Sequence, residues 1–151
     1  MLAIHPIPAF NDNYIWAIIN NDAKQAIIVD AGDAAPVLDF VQKNNLNICQ
    51  IWVTHHHQDH IGGVAELANI YPNAQIFAHV DIHPLVKAKN LQAAREGSEL
   101  TAWGCPVQVW QVAGHTDNHL AYLLTLEQHL HVFCGDTLFR AGCGRVFTGT
   151  I

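Results

Sequence analysis

The sequence predicts an α/β sandwich with mixed sheets, formed by residues 1–151 as a single domain. Strand and helix patterns alternate through the first half of the chain, and two neighbouring strand patterns are arranged as a hairpin. This combination is typical of mixed sheets in a layered α/β fold. The chain has 151 residues, of which 50% are apolar, so it is long and apolar enough to bury one core.

Seven segments have the apolar or alternating pattern of strands. The run from Ile48 to Thr54 is apolar enough to predict a strand that is buried on both faces. The turn residues from Asn20 to Asp22 separate the first two segments and predict a hairpin there. The predicted strands are residues 13–19, 25–30, 48–54, 75–79, 107–112, 120–126 and 130–134.

Helical patterns are fewer. Pro36 stands where a first helical turn tolerates proline, and apolar residues follow at helical spacing as far as Val41. Residues 64–71 predict a second helix. Residues 81–104 predict helix and loop, and residues 135–150, which include four glycines, predict loop. We expect the four tryptophans to lie in the core.

Composition excludes several classes of function. Seven Lys and Arg against thirteen Asp and Glu give a net charge of −6, which argues against a nucleic-acid partner. No apolar run approaches the ~20 residues of a membrane helix, and the N-terminal segment lacks the pattern of a signal peptide. We therefore expect a soluble cytoplasmic monomer with no membrane partner, whose four scattered cysteines are reduced thiols.

Histidine is the unusual component, because the eleven histidines outnumber Lys and Arg together. Four of them stand in the segment Thr54–Gly63, which reads THHHQDHIGG and follows the predicted buried strand. The side chains of residues two apart in an extended chain point the same way, so His55 and His57 can bind one ion. Asp59 and His60 can face a second point nearby. Imidazole and carboxylate together suit Zn²⁺ or Fe.

Two later segments each place a further potential ligand beside a glycine at a strand-to-loop junction. They supply His115, which follows Gly114, and Asp136, which follows Gly135. Three histidines on one ion with a carboxylate between two ions is a catalytic arrangement. The alternatives are a solvated polar loop for residues 55–60 and a turn-capping role for Asp136.

These residues resemble the metallo-β-lactamase superfamily, whose marker is H-x-H-x-D-H followed by a later His and Asp. Residues 10–14 (FNDNY), 114–119 (GHTDNH) and 135–145 (GDTLFRAGCGR) resemble the glyoxalase II family, the hydroxyacylglutathione hydrolases. The resemblance runs from residue 10 to 149 and implies a metallo-β-lactamase-like αββα sandwich. It also implies two metal sites, whose ligands are His55, His57 and His115 in the first, Asp59 and His60 in the second, and Asp136 as the bridge.

The resemblance implies a binuclear-metal thioester hydrolase of S-(2-hydroxyacyl)glutathione, such as S-D-lactoylglutathione, acting in methylglyoxal detoxification. Two zinc ions are implied, with Fe or Mn as alternatives, and a metal-bound hydroxide held near Asp59 and Asp136 would be the nucleophile. Arg145 matches a position that contacts glutathione, and Phe147 stands where the family commonly has Tyr. A seventh His ligand and a helical domain would fall beyond Ile151, so we expect a C-terminally incomplete catalytic domain.

Several interpretations stay open. Asp30 resembles a carboxylate that orients a metal-binding His, although a turn role accounts for it equally well. His119 is expected to be structural or to support a ligand. One alternative function is a glutathione persulfide dioxygenase with one iron, which shares the sequences GHTD and GCGR with this chain. The other is a truncated metal-binding chain without catalytic activity.

Overall fold

The computed structural model describes residues 2–9, 13–55, 61–86, 88–112, 119–134 and 147–150. These residues form strands, two α-helices and one 3-10 helix, Val80–Leu85. The strands are β1 (Leu2–Ala9), β2 (Asn13–Asn20), β3 (Gln25–Val29), β4 (Asn47–Trp52), β5 (Gln75–Ala78), β6 (Leu91–Ala93), β7 (Glu99–Ala102), β8 (Cys105–Gln111), β9 (Leu120–Leu126), β10 (His129–Phe133) and β11 (Phe147–Thr150).

The strands form two sheets. The first has the order β1-β2-β3-β4-β5-β6, and the second has the order β11-β10-β9-β8-β7. In the first sheet β1, β2 and β3 are antiparallel, whereas β3 to β6 are parallel. The second sheet is antiparallel throughout its described pairs. The predicted mixed α/β sandwich is therefore confirmed, with the mixture confined to the first sheet.

The helices cover the outer face of the first sheet. Helix α1 (Ala34–Lys43) begins after Asp33, whose side chain accepts the backbone N–H of Ala35 at 3.2 Å. Helix α2 is Val64–Ile70. The buried residues of both helices join one apolar cluster with that face of the sheet. Within the described segments no helix covers the second sheet, and none is long and apolar enough to cross a membrane.

A second apolar cluster fills the space between the sheets. At its centre the Trp52 ring of β4 stacks on Tyr122 of β9 with centroids 5.1 Å apart, and Phe133 of β10 meets Trp52 edge-on at 5.8 Å. Trp110, which we expected in the core, is 51% exposed. Its neighbour Val109 shows why, since alternate residues of β8 point to opposite faces and Val109 takes the inward direction.

Four strands differ from the sequence prediction. Residues 81–104 contain two short strands, β6 and β7, besides the 3-10 helix, and residues 147–150 form β11 instead of loop. Strand β1 gave no clear signal because it contains Pro6 and Pro8, which belong at sheet edges, and β1 is indeed an edge strand. Short strands of three or four residues carry too little periodicity to be recognised.

Candidate metal centre

Four strand ends meet at one edge of the sandwich. The parallel strands β3 and β4 end there and lead into Asp30 and His55, whereas β9 begins there just after His119 and β10 ends there just before Cys134. The Leu120 N–H of the second sheet donates to Thr54 O of the first at 2.8 Å. Carboxyl ends of parallel strands are where ligands bind in open α/β sheets, so this edge is the candidate site.

Asp30 and Thr54 are joined by two hydrogen bonds. The Thr54 N–H donates to one carboxylate oxygen of Asp30, and the Thr54 hydroxyl donates to the other, both at 2.7 Å. Asp30 is 5% exposed and has a φ of +57°, a left-handed conformation that Asp tolerates better than most residues. The backbone N–H of Asp30 donates to Trp52 O at 2.9 Å. Asp30 therefore orients the Thr54 hydroxyl as well as forming the turn.

The bond between Thr54 and His55 fixes the form of the imidazole. The Thr54 hydroxyl lies 2.9 Å from Nδ1 of His55. Its single proton goes to the Asp30 carboxylate, which can only accept, so the hydroxyl oxygen accepts the Nδ1–H proton of His55. The lone pair of a neutral His55 is then on Nε2. A histidine whose other ring nitrogen donates in this way is prepared to bind a metal ion.

His119 lies against one face of the same imidazole. The two rings stack with centroids 4.6 Å apart and planes 9° apart, and both residues are buried. Because a carbonyl oxygen can only accept, Nε2–H of His119 donates to Cys134 O. The expectation that His119 is structural or supports a ligand agrees with this position.

Tyr122 connects the two sheets next to the site. Its hydroxyl lies 2.8 Å from Val53 O and 3.0 Å from Phe77 O, and so connects the second sheet to the ends of β4 and β5. Burial, followed by the negative charge of Asp30, raises the pKa of Tyr122 well above its ordinary value. The hydroxyl therefore keeps its proton and serves as a donor.

Gly63 sets the position of the segment after the predicted HHHQDH ligands. Its N–H donates to Ala31 O at 2.7 Å, and α2 begins at the next residue. A Cβ on Gly63 would lie 2.4 Å from Ala34 N and 2.7 Å from Asp33 C, both backbone atoms. Only glycine permits this close approach between the starts of α1 and α2.

His55 is the one predicted metal ligand within the described residues. The other predicted ligands, and the predicted substrate contact Arg145, lie outside them; they are His57, Asp59, His60, His115, Asp136 and Arg145. The backbone of Phe147, the other predicted substrate contact, pairs with Val132 at the start of β11. Among the described residues alone, no three His, Cys, Asp or Glu side chains converge as a metal site requires.

The described residues fit a divalent metal ion. A buried imidazole whose Nδ1–H is held by a hydroxyl, which is itself held by a carboxylate, is an oriented nitrogen ligand of the kind that Zn²⁺ and similar ions prefer. Sequence reasoning missed Thr54 and Tyr122. A hydroxyl directly before the first His of the motif was the available signal for Thr54, whereas nothing in the local sequence distinguishes Tyr122 from a core residue.

Comparisons with known proteins agree with this description. The sequence profile of the metallo-beta-lactamase superfamily matches residues 12–148. The hydroxyacylglutathione hydrolase of Neisseria meningitidis serogroup A is 44% identical over 150 residues, which are 99% of this chain and 57% of that protein. The hydroxyacylglutathione hydrolase of Vibrio campbellii is 45% identical over 150 residues, covering 99% of this chain and 56% of that protein.

The chain thus spans a little over half the length of these curated relatives. Among solved structures, the crystal structure of the BLEG-1 B3 metallo-beta-lactamase is similar to it, with a TM-score of 0.77 and 23% identity. That similarity covers 95% of this chain and 76% of the other, and it concerns the fold. The profile match and the shared fold lead to one conclusion: the chain belongs to the metallo-beta-lactamase superfamily.

Proposed function

We propose that the chain forms the metal-binding catalytic domain of a hydrolase that cleaves S-(2-hydroxyacyl)glutathione thioesters. The observation that carries the metal-dependent part is the orientation of His55, whose Nδ1–H is held by Thr54 and Asp30. The substrate class comes from relatives named hydroxyacylglutathione hydrolase, which are 44–45% identical over 99% of this chain. Membership of the superfamily implies one or more divalent metal ions.

The proposed ligand set combines the motifs of the sequence with the strand ends of the fold. His55, His57 and His115 would hold the first ion, Asp59 and His60 the second, and Asp136 would bridge the two. His55 follows β4, and the segments with His115 and Asp136 follow β8 and β10, which end at or beside the same edge. Zinc is the ion we propose, with two per chain.

The residues of the chain would divide the chemistry as follows. Divalent ions, when bound, lower the pKa of water and polarise a thioester carbonyl. The Asp30–Thr54 pair would keep the His55 proton on Nδ1, which leaves the lone pair of the ring on Nε2. The cationic Arg145 would attract a carboxylate of glutathione, and the Phe147 ring would stack on the substrate. A thiol leaving group, with a pKa of about 8.5, needs little help from a general acid.

The test is thioester turnover by the purified chain loaded with zinc. We expect loss of S-D-lactoylglutathione that stops when a chelator is added and that falls at least about 100-fold in His55→Ala. His5→Ala, which removes an exposed histidine of β1, is the control and should keep full activity. Iron retention with oxygen consumption on glutathione persulfide would replace the proposal with the one-iron dioxygenase. Metal binding without either reaction would leave a non-catalytic metal-binding chain.

A further inference from the structure

We propose that His119 is a positioning residue, which fixes the plane of the His55 ring and connects the three segments that carry the metal ligands. This inference rests on the metal site of the proposed function, although not on its substrate. His119 is not part of the H-x-H-x-D-H marker. Its role follows from three contacts: the stack on His55, the side-chain bond to Cys134 and a backbone bond to Val112.

The His55 ring keeps some rotational freedom when only its hydrogen bond to Thr54 holds it. The hydrogen bond from Nδ1 to Thr54 sets the direction of one ring nitrogen. The ring is attached to the chain at Cγ and held at Nδ1, so it can still turn about the line through these two atoms. Turning would move Nε2 out of its position. The parallel His119 ring, 4.6 Å away and tilted by 9°, blocks this rotation. The two contacts together fix both the direction and the plane of the ligand.

The His119 ring is itself held by the second sheet. The ring is 1% exposed, and its Nε2–H donates to the backbone oxygen of Cys134, directly after β10. The residue before Cys134, Phe133, pairs with Tyr122 in the ladder of β9 and β10, so the sheet sets the position of this acceptor. The orientation of the His119 ring is therefore set by the second sheet, and the His55 ring of the first sheet is aligned to it.

His119 also connects segments that are distant in the sequence. The Val112 N–H donates to His119 O at 2.8 Å, which closes the base of the segment that contains His115. Leu120 N–H donates to Thr54 O, which adjoins His55. Cys134 stands two residues before Asp136. His119 thus contacts His55, joins the two ends of the segment that contains His115, and bonds the strand end that leads to Asp136.

A packing role would give a different expectation. A side chain that only fills space beside His55 could be replaced by phenylalanine, which keeps a flat ring of similar size. A positioning role needs the donor at Nε2, because that bond fixes the ring plane. Glutamine places an amide nitrogen where histidine has Nε2, so His119→Gln keeps the donor whereas His119→Phe keeps only the ring.

The test measures metal binding instead of turnover. The chain and its variants His119→Phe and His119→Gln are titrated with Co²⁺, and affinity and the visible absorption spectrum are recorded. Supporting contacts around a metal site are typically worth about 10–100-fold in affinity. We expect a loss of that size with an altered spectrum in His119→Phe, and a smaller loss in His119→Gln. His5→Phe, a substitution of the same kind in the exposed part of β1, should bind Co²⁺ like the original chain.

Urea unfolding of the metal-free proteins separates positioning from folding. The inference is supported if His119→Phe unfolds near the original midpoint and still loses affinity. It is overturned if His119→Phe binds Co²⁺ with unchanged affinity and spectrum, or if both variants lose binding only together with the folded state. A chain that binds Co²⁺ normally but hydrolyses no thioester would contradict the proposed substrate and leave this inference standing.

Discussion

The Asp30 carboxylate accepts two hydrogen bonds from Thr54, one from its backbone N–H and one from its hydroxyl, and both are 2.7 Å long. The double contact means that Thr54 cannot rotate its hydroxyl elsewhere without losing a buried bond. The direction of the proton chain is therefore fixed from His55 through Thr54 to Asp30. The consequence is a defined tautomer at the first predicted metal ligand.

Replacing Asp30 by asparagine should reverse this proton chain. The Asn Nδ2 group facing the Thr54 hydroxyl would donate to it, so the hydroxyl would donate its own proton to Nδ1 of His55. The His55 proton would move to Nε2 and compete with the metal ion. We expect Asp30→Asn to weaken zinc binding by about 10–100-fold. Metal titration gives the affinity, and ¹⁵N NMR of the imidazole gives the tautomer.

Asp39→Asn is the matched control, because Asp39 is an exposed residue of α1 that pairs with Lys43. It should leave both measurements unchanged. Zinc affinity in Asp30→Asn equal to that of the original chain would show that the carboxylate does not control the proton on His55.

The same pair shows what the sequence could and could not predict. The sequence correctly predicts that His55 follows a buried strand, because the apolar run of β4 is a local pattern. The contact between Asp30 and Thr54 spans 24 residues and depends on the parallel register of β3 and β4, in which Val29 pairs with Trp52. Local periodicity predicts strands but carries no information about register between strands that are distant in sequence.

Gly63→Ala should destabilise the fold next to the predicted ligands. The added methyl group would overlap Ala34 N and Asp33 C, which are backbone atoms and cannot rotate away. Forcing extra volume into a packed position costs about 1–3 kcal/mol, and a clash with backbone belongs at the upper end. Urea unfolding measures the loss. Ala65→Ser, at an exposed position of α2, is the control, and an equal midpoint for the two variants would contradict the close approach.

Tyr122→Phe should weaken the connection between the two sheets beneath the site. The substitution keeps the stack on Trp52 but removes the hydroxyl that Val53 O accepts at 2.8 Å. Phe77 O keeps the bond from Val53 N–H, so the main loss is at Val53 O. Leaving a buried acceptor without its donor costs about 1–3 kcal/mol. Thermal unfolding should show this loss, and Tyr14→Phe, at a half-exposed position, should show none.

His131 of β10 should make the folded chain less stable in acid. This residue pairs with Leu124, so it points toward the space between the sheets. It lines a cavity of about 700 Å³ whose other walls include Leu2, Cys105, Glu127 and His129. Its Nδ1 is buried and meets no hydrogen-bond partner among the described residues. Burial, followed by the neighbouring His129, lowers the pKa of His131 from its ordinary value of 6.5.

The sign of the pH effect follows from linkage. Because the pKa of His131 is lower in the folded state, the unfolded chain takes up a proton there first as pH falls below about 6.5. The free energy of unfolding is therefore undiminished above that pH. It decreases as pH falls from there toward the lower pKa of His131 in the folded state. His131→Phe removes this pH-dependent contribution to stability. The urea midpoint of the original chain should therefore drop between pH 7.5 and pH 5.5 by more than that of His131→Phe, and an equal drop would show that the buried imidazole is not the group responsible. His5→Phe, which alters a histidine stacked on Phe40 at the exposed surface, should keep the pH dependence of the original chain.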